Sequence, residues 1–325
     1  MEYKLLGNTG VKVSALCFGT MSFGGDADEE TSTALFHRCR QAGINFFDCA
    51  NVYQQGGAEE ILGRLIASCR AELIITSKAY FPMGQGLNDR GGSRRHIMAA
   101  IEASLKRLQT DYLDLYFIHR FDDQTPLPET LRALDDLVRQ GKILYPAVSN
   151  FAAWQVEKAL GICAKEGWAR FECLQPMYNL VKRQAEVELL PMAQAENIAV
   201  IPYNALGGGL LTGKYGPGRQ PESGRLVENN IYGLRYGADW MAELAQRFTI
   251  LAREHGYNPV SLAVAWVAGH PAVTAPIIGA RNVSQLEGSL KAVEIEMTPE
   301  LRANISALSP EPPPATDRNE ERMIN

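Results

Sequence analysis

The sequence predicts a (β/α)8 barrel of the TIM type, with a β-hairpin laid across its N-terminal end. Three features carry the prediction. Apolar runs of about four to six residues alternate with helical segments eight times along the chain. The runs are apolar throughout instead of alternating with polar residues, as in strands covered on both faces. A length of 325 residues, 46% of them hydrophobic, suits one such barrel domain spanning residues 1–325. The competing open, doubly wound sheet needs a GxGxxG turn after its first strand. Gly19-Thr-Met-Ser-Phe-Gly24 does not fit that turn.

The elements follow in order. Residues 3–6 and 11–13 flank the turn residues Gly7-Asn-Thr-Gly10 and make the hairpin. The first buried strand is 15–20. A helix over 28–41 opens on acidic residues, strand 44–47 follows, and then helix 58–67. Strand 73–77 runs into a Gly-rich loop, 84–92, which ends at Ser93, an N-cap for helix 94–108. Strand 113–118 precedes helix 128–139, where Pro128 falls in the first turn and its missing N–H is harmless. Strand 143–148, helix 152–165, strand 173–176, helix 186–196 and strand 198–202 continue the alternation. Residues 205–230 read as one long loop, a kind that is usually functional. Helices 239–255 and 261–267, strand 275–278 and helix 283–292 complete the barrel, and 310–325 reads as a flexible or surface-wrapping tail.

Bulk composition excludes several classes. A net charge of -5 with no Lys/Arg-rich run leaves no nucleic-acid footprint. The six cysteines (17, 39, 49, 69, 163, 173) show neither CxxC nor metal spacing, which points to reduced thiols in a cytoplasmic protein and to no metal. The N-terminus lacks the basic-then-apolar pattern of a signal peptide. No apolar run approaches the roughly 18 residues of a membrane span.

Chemistry concentrates at the C-terminal ends of three successive strands. Ile44-Asn-Phe-Phe ends in Asp48, and the loop after it carries Tyr53. The next run ends in Lys78, and the one after in His119. Alone, each has an ordinary reading: a turn residue, surface packing, a solvated strand end, a core histidine. Together they sit where barrels of this kind place active sites. The quartet suits carbonyl reduction. A proton donor must quench the alkoxide that forms as hydride arrives, and a free tyrosine, with a pKa near 10, is poorly matched to neutral pH. Lys78 beside Tyr53 would lower that pKa, Asp48 would hold Lys78, and a neutral His119 would orient the carbonyl oxygen.

These motifs resemble the aldo-keto reductase superfamily from about Lys4 to Ala292. Phe47-Asp-Cys-Ala-Asn-Val-Tyr53, Thr76-Ser-Lys78 and Asp111-Tyr-Leu-Asp-Leu-Tyr-Phe-Ile-His119 stand where that family has its Asp, Tyr, Lys and His. The nearest likeness is to its NADP-dependent bacterial-type and potassium-channel β-subunit-like branches. The resemblance implies a barrel, NADP(H) as cofactor and Tyr53 as general acid. It assigns Ser149, Asn150 and Gln175 to the nicotinamide carboxamide, with Tyr203 stacked on the ring and Gly19, Thr20 and Met21 beside it. As isolated residues Ser149 and Asn150 read as a helix cap. Asn204 and Leu206 through Gly208 and Leu210 to Lys214 would close over the pyrophosphate. That segment nearly spells a phosphate-binding P-loop, but the motif wants Ser or Thr next and Tyr215 is there. Gly279 and Arg281 would receive the 2′-phosphate, Gln285 would approach the adenine, and Ser289 stands where the family often has Asn.

For substrate, Phe23, Tyr80, Phe81 and Phe121 border the quartet with Met21 and suggest an apolar pocket for aldehydes or ketones. Arg120 either faces a substrate anion or pairs with an Asp. Residues 215–237 read as a lid. The expected function is NADPH-dependent reduction of a small aldehyde or ketone. The alternative is a cofactor-sensing regulatory subunit on the same fold.

Overall fold

The computed structural model describes residues 1–318 and 320. β1 (Tyr3–Leu5) and β2 (Lys12–Ser14) pair antiparallel as the hairpin. The eight barrel strands are β3 (Cys17–Gly19), β4 (Phe46–Asp48), β5 (Ile74–Ala79), β6 (Leu113–Ile118), β7 (Ile143–Ser149), β8 (Cys173–Gln175), β9 (Ala199–Val200) and β10 (Ile277–Ile278). All their pairings are parallel, in spatial order β10-β3-β4-β5-β6-β7-β8-β9. The ring closes between its two end strands. There the Thr274 amide donates to the Val200 carbonyl and the Ile277 amide to the Pro202 carbonyl, each at 2.9 Å.

Helices α1 (Glu29–Gln41), α2 (Gly57–Ile66), α3 (Arg94–Leu108), α4 (Leu127–Arg139), α5 (Ala153–Glu166) and α6 (Leu189–Ala195) follow the first six barrel strands in turn. Between β9 and β10 lie α7 (Arg225–Glu228), α8 (Asn230–Tyr236), α9 (Asp239–Glu254) and α10 (Pro259–Ala268), and after β10 come α11 (Val283–Leu290) and α12 (Pro299–Ser306). Local chemistry fixes the helix starts: Asp28 accepts from the Thr31 amide at 2.8 Å, and Ser93 accepts from the His96 amide at 3.3 Å.

Period-two alternation sorts the strand residues into two cores. Phe18, Phe47, Ile75, Tyr116, Ile118, Val148 and Leu174 face outward and pack under the helices. Cys17, Phe46, Leu115, Phe117, Ala147, Cys173 and Ala199 fill the barrel interior, which Leu6 and Val13 of the hairpin seal at the bottom. Carrying the inward phase one step toward the strand ends gives Gly19, Asp48, Lys78, His119, Ser149 and Gln175. The alternation that builds the core therefore aims the polar residues into the top of the barrel.

Three expectations need correction. Residues 205–230 are not one loop: a 3-10 turn (Gly207–Thr212) and α7 interrupt them, and α8 begins at Asn230. The helix expected over 186–196 is a 3-10 turn, Gln184–Glu186, followed by the shorter α6. α12 was not expected, and the described part of the tail follows it. Within the span expected to be a tail, 319 and 321–325 lie outside the described residues. Among the described residues no helix is long and apolar enough to cross a membrane.

Candidate active site

A cavity of about 790 Å3 opens at the C-terminal ends of the strands. Asp48, Tyr53 and His119 line one end of it, and Lys214, Arg281, Gln285 and Ser289 line it further along.

Lys78 lies wholly buried beneath the quartet's surface. Its ammonium donates to Asp48 Oδ1 at 2.7 Å and Oδ2 at 2.6 Å, to the Cys49 carbonyl at 2.7 Å, and to the Tyr53 hydroxyl at 3.5 Å. Burial pulls its pKa down, but the charges of Asp48 and Tyr53 outweigh this and hold it above the ordinary lysine value. Asp48 Oδ1 also accepts from the Thr76 hydroxyl at 2.8 Å and the Gln175 amide at 2.9 Å. The carboxylate is thus fixed by three residues from two other strands.

Tyr53 stands on a tight turn whose next two residues, Gln54 and Gln55, have φ of +48° and +52°. Left-handed backbone at non-glycine residues costs roughly 1–3 kcal/mol each and collects at functional sites. The expected net lowering of the tyrosine pKa is not found. Burial pushes it up to about 12, outweighing the downward pull of Lys78. The phenol is therefore protonated at neutral pH, as a proton donor must be.

Burial and the nearby Lys78 charge pull His119 down to about 3, so its imidazole is neutral. Its ring meets Tyr53 edge-on at 6.2 Å and Phe81 at 4.9 Å, and its buried Nδ1 has no hydrogen-bond partner among the described residues. The folded pKa lies below the unfolded value, so the unfolded chain takes up the proton first. The residue's contribution to stability is present above about pH 6.5 and is lost as pH falls toward about 3. The imidazole 15N resonances are expected to stay those of a neutral ring from about pH 5 to 8. A midpoint near 6.5 would show that the site is wetter than its packing implies.

The remaining strand ends form a connected row. The Ser149 hydroxyl donates to the Gln175 carbonyl at 2.9 Å. Asn150, at φ +57°, donates through Nδ2 to the His119 carbonyl at 2.9 Å and accepts from the Tyr203 hydroxyl at 2.7 Å. Neither Ser149 nor Asn150 caps α5, whose N-cap is Ala152. Asn204 lines the cavity, and its buried Nδ2 has no partner among the described residues. Leu206, Gly208 and Lys214 line it next. Gly208, at φ +67°, has no room for a side chain, since a Cβ there would meet the Tyr232 ring at 2.6 Å. At the far end Arg281 pairs with Asp26 at 2.9 Å and Glu228 at 3.1 Å. Lys214 is pulled down by burial and by Arg281.

The family model described as "Aldo/keto reductase family" matches residues 15–310. The chain belongs to that family. The chain is 38% identical to a Bacillus subtilis protein, "Uncharacterized oxidoreductase YrpG", over 96% of this chain and 97% of that one. It is 37% identical to a "Probable voltage-gated potassium channel subunit beta" of Arabidopsis thaliana, over 91% of this chain and 92% of that one. The "Versiconal hemiacetal acetate reductase" of Aspergillus parasiticus is 32% identical, over 92% and 94%. The protein is an aldo/keto reductase family oxidoreductase.

Several predicted site residues do not reach the cavity of this reductase-family barrel. Phe23 is fully buried and packs on Phe18 at 5.8 Å between ring centres. Phe121 meets Phe151 edge-on and Trp154 at a tilt, and Tyr80 meets Phe81 edge-on. Of these aromatics only Phe81 lines the wall. Thr20 and Leu210 are buried behind it, Thr20 donating its hydroxyl to the Asp48 carbonyl at 3.0 Å. Sequence reasoning missed Arg225, Tyr232 and Arg235, which line the cavity from α7 and α8. Their signal was the alternation of aromatic and basic residues in 225–236.

Proposed function

We propose that this oxidoreductase reduces an aldehyde or ketone to an alcohol, with NADPH as hydride source and Tyr53 as proton donor. The observation that carries the reading is the Tyr53 phenol edge-on to the His119 imidazole on one cavity wall, backed by the buried Lys78–Asp48 pair.

The residues fit a nicotinamide dinucleotide. Asn204 offers a buried amide donor without a partner, Gly208 and Gly209 keep the wall free of side chains, and Lys214 and Arg281 supply cations at the far end. Ser149, Asn150 and Gln175 would hold the carboxamide and Tyr203 would flank the ring. The bound cofactor supplies a hydride to the carbonyl carbon. As the C=O electron pair moves to oxygen, Tyr53 gives its proton to that oxygen and is left as a phenolate beside the Lys78 ammonium. Asp48 fixes the ammonium's position, and a proton from solvent restores the phenol. His119, neutral, orients the carbonyl oxygen without competing as an acid.

The test follows NADPH absorbance with 4-nitrobenzaldehyde. Turnover is expected, and Arg281→Ala is expected to raise the KM for NADPH by about tenfold but that for NADH by much less, since only NADPH carries the 2′-phosphate. Tight NADPH binding with no turnover of any aldehyde would overturn the reductase reading and favour a cofactor-sensing role. Equal losses for both cofactors would remove Arg281 from the 2′-phosphate.

A further inference from the structure

We propose that the carbonyl substrate carries an anionic group, a carboxylate being the simplest, held between Arg120 and Arg235 at the mouth of the cavity. This rests on the reductase reading and adds the class of substrate to it.

The cations at the far end of the cavity are committed elsewhere. Arg281 pairs with Asp26 and Glu228 and, with Lys214, faces the cofactor's phosphates. Arg225 stands with Lys214 on that side, since a Cβ on the neighbouring Gly224 would lie 3.0 Å from Lys214 Nζ. Arg120 and Arg235 also line the cavity, yet among the described residues neither makes an ion pair or a side-chain hydrogen bond. The carboxylate nearest to Arg120 in sequence is committed elsewhere: Asp122 accepts from the Gly92 amide at 2.7 Å, the Thr125 hydroxyl at 2.6 Å and the Gln124 amide at 3.1 Å. The Asp pairing that the sequence left open for Arg120 is thus not made among the described residues.

Both arginines are at the reacting end. Arg120 follows His119 directly, so their Cα atoms are about 3.8 Å apart. Arg235 is reached from His119 by a short chain of contacts. The His119 carbonyl accepts from Asn150 (2.9 Å), Asn150 accepts from Tyr203 (2.7 Å), and Asn204, next in the chain, accepts from the Tyr232 hydroxyl (3.4 Å). Arg235 is also held in place, its guanidinium 5.1 Å from the centre of the Tyr232 ring. Two guanidinium groups from separate elements, the loop after β6 and α8, thus line the cavity that Tyr53 also lines. Guanidinium forks bind carboxylates bidentately, and Arg235, half-buried, gains more from an anion that enters with the substrate than the exposed Arg120 does. The same cavity wall carries apolar Met21 and Phe81, the latter 4.9 Å from the His119 ring centre. That suits an aldehyde at one end of a flat spacer and an acid at the other.

The experiment compares 4-carboxybenzaldehyde with its methyl ester, methyl 4-formylbenzoate, at saturating NADPH. The two share the benzaldehyde frame, and the uncharged ester has the more electrophilic aldehyde, so reactivity alone favours the ester and a preference for the acid reports its charge. Wild type is expected to favour the acid by roughly tenfold in kcat/KM at low salt. Rising ionic strength should erode that preference. In Arg120→Ala and in Arg235→Ala the acid-to-ester ratio should fall to near one, through the KM of the acid, and Arg120→Lys should keep part of it. NADPH affinity is read in the same variants by fluorescence. Equal kcat/KM for acid and ester in wild type overturns the anion site while leaving the reductase reading standing. Losses that appear in NADPH affinity instead of the acid's KM overturn it as well, assigning the arginines to the cofactor. Turnover of neither aldehyde defeats the reductase reading itself. Binding of 4-carboxybenzyl alcohol against its methyl ester, by NADPH-loaded protein, then decides the anion site separately: a preference for the acid that both alanine variants abolish supports it, and no preference overturns it.

Discussion

Tyr53→Phe is expected to lower kcat for aldehyde reduction by about 10²–10⁴-fold, the usual worth of a positioned general acid, while NADPH affinity changes little. The substitution removes one oxygen and keeps the ring that packs against His119. It also leaves the Lys78 ammonium its three shorter acceptors, the two Asp48 oxygens and the Cys49 carbonyl. Burial holds the Tyr53 pKa up at about 12 in the free protein. The acid is therefore already protonated throughout the neutral range, and the reduction rate should be flat from about pH 6 to 9. Alcohol oxidation needs the phenolate and should rise across the same range. Rapid-mixing kinetics of NADPH oxidation at saturating aldehyde would check both. A variant keeping more than about a tenth of wild-type kcat would mean that the proton comes from another group or from water.

The barrel and the quartet were legible for the same reason. In a strand buried on both faces, alternate residues point inward, so a polar residue in the inward phase at the end of an apolar run is both out of place for a core and aimed into the barrel top. Phe46-x-Asp48 and Leu115-x-Phe117-x-His119 show this within a few residues. The phase argument stops where the strand stops. Phe23, Tyr80 and Phe121 lie in loops after the strands, and there hydrophobicity alone did not distinguish the cavity wall from the core. The helices within 215–237 were illegible for another reason. α8 is seven residues long and holds Gly233 in its middle, a weak helix by propensity. It is stabilised by the Asn229 cap and by contacts of Tyr232 and Tyr236 with the barrel that no local pattern records. α12 did carry a local signal, a Thr298 cap followed by proline at the first helical position. The Tyr53 pKa was misjudged in sign because a charge partner can be read from sequence spacing, whereas the depth of burial that opposes it cannot.

The Lys78–Asp48 pair separates stability from function. Lys78→Met should destabilise the fold by about 3–5 kcal/mol, the usual penalty for stranding one member of a buried ion pair. It leaves Asp48, 2% exposed, with only the Thr76 and Gln175 donors, and a carboxylate in that position tends to take up a proton instead. Asp48→Asn should cost a similar amount by leaving the wholly buried ammonium with the Cys49 carbonyl and the distant Tyr53 hydroxyl. The double variant removes both charges. It should recover at least half of the summed loss, because an uncharged pair of similar volume no longer carries the desolvation cost. Its activity should not recover, since the phenolate left after proton transfer would have no cation beside it. Urea unfolding of the four proteins, with aldehyde reduction measured on each, gives the coupling energy and the activity together. Additive stability losses would mean that the two charges do not rely on each other. Activity that returned with stability would assign the pair to folding. Strong coupling in stability with activity lost in all three variants would mark it as a cation retained for chemistry, in a place where two apolar residues would have made an equally stable barrel.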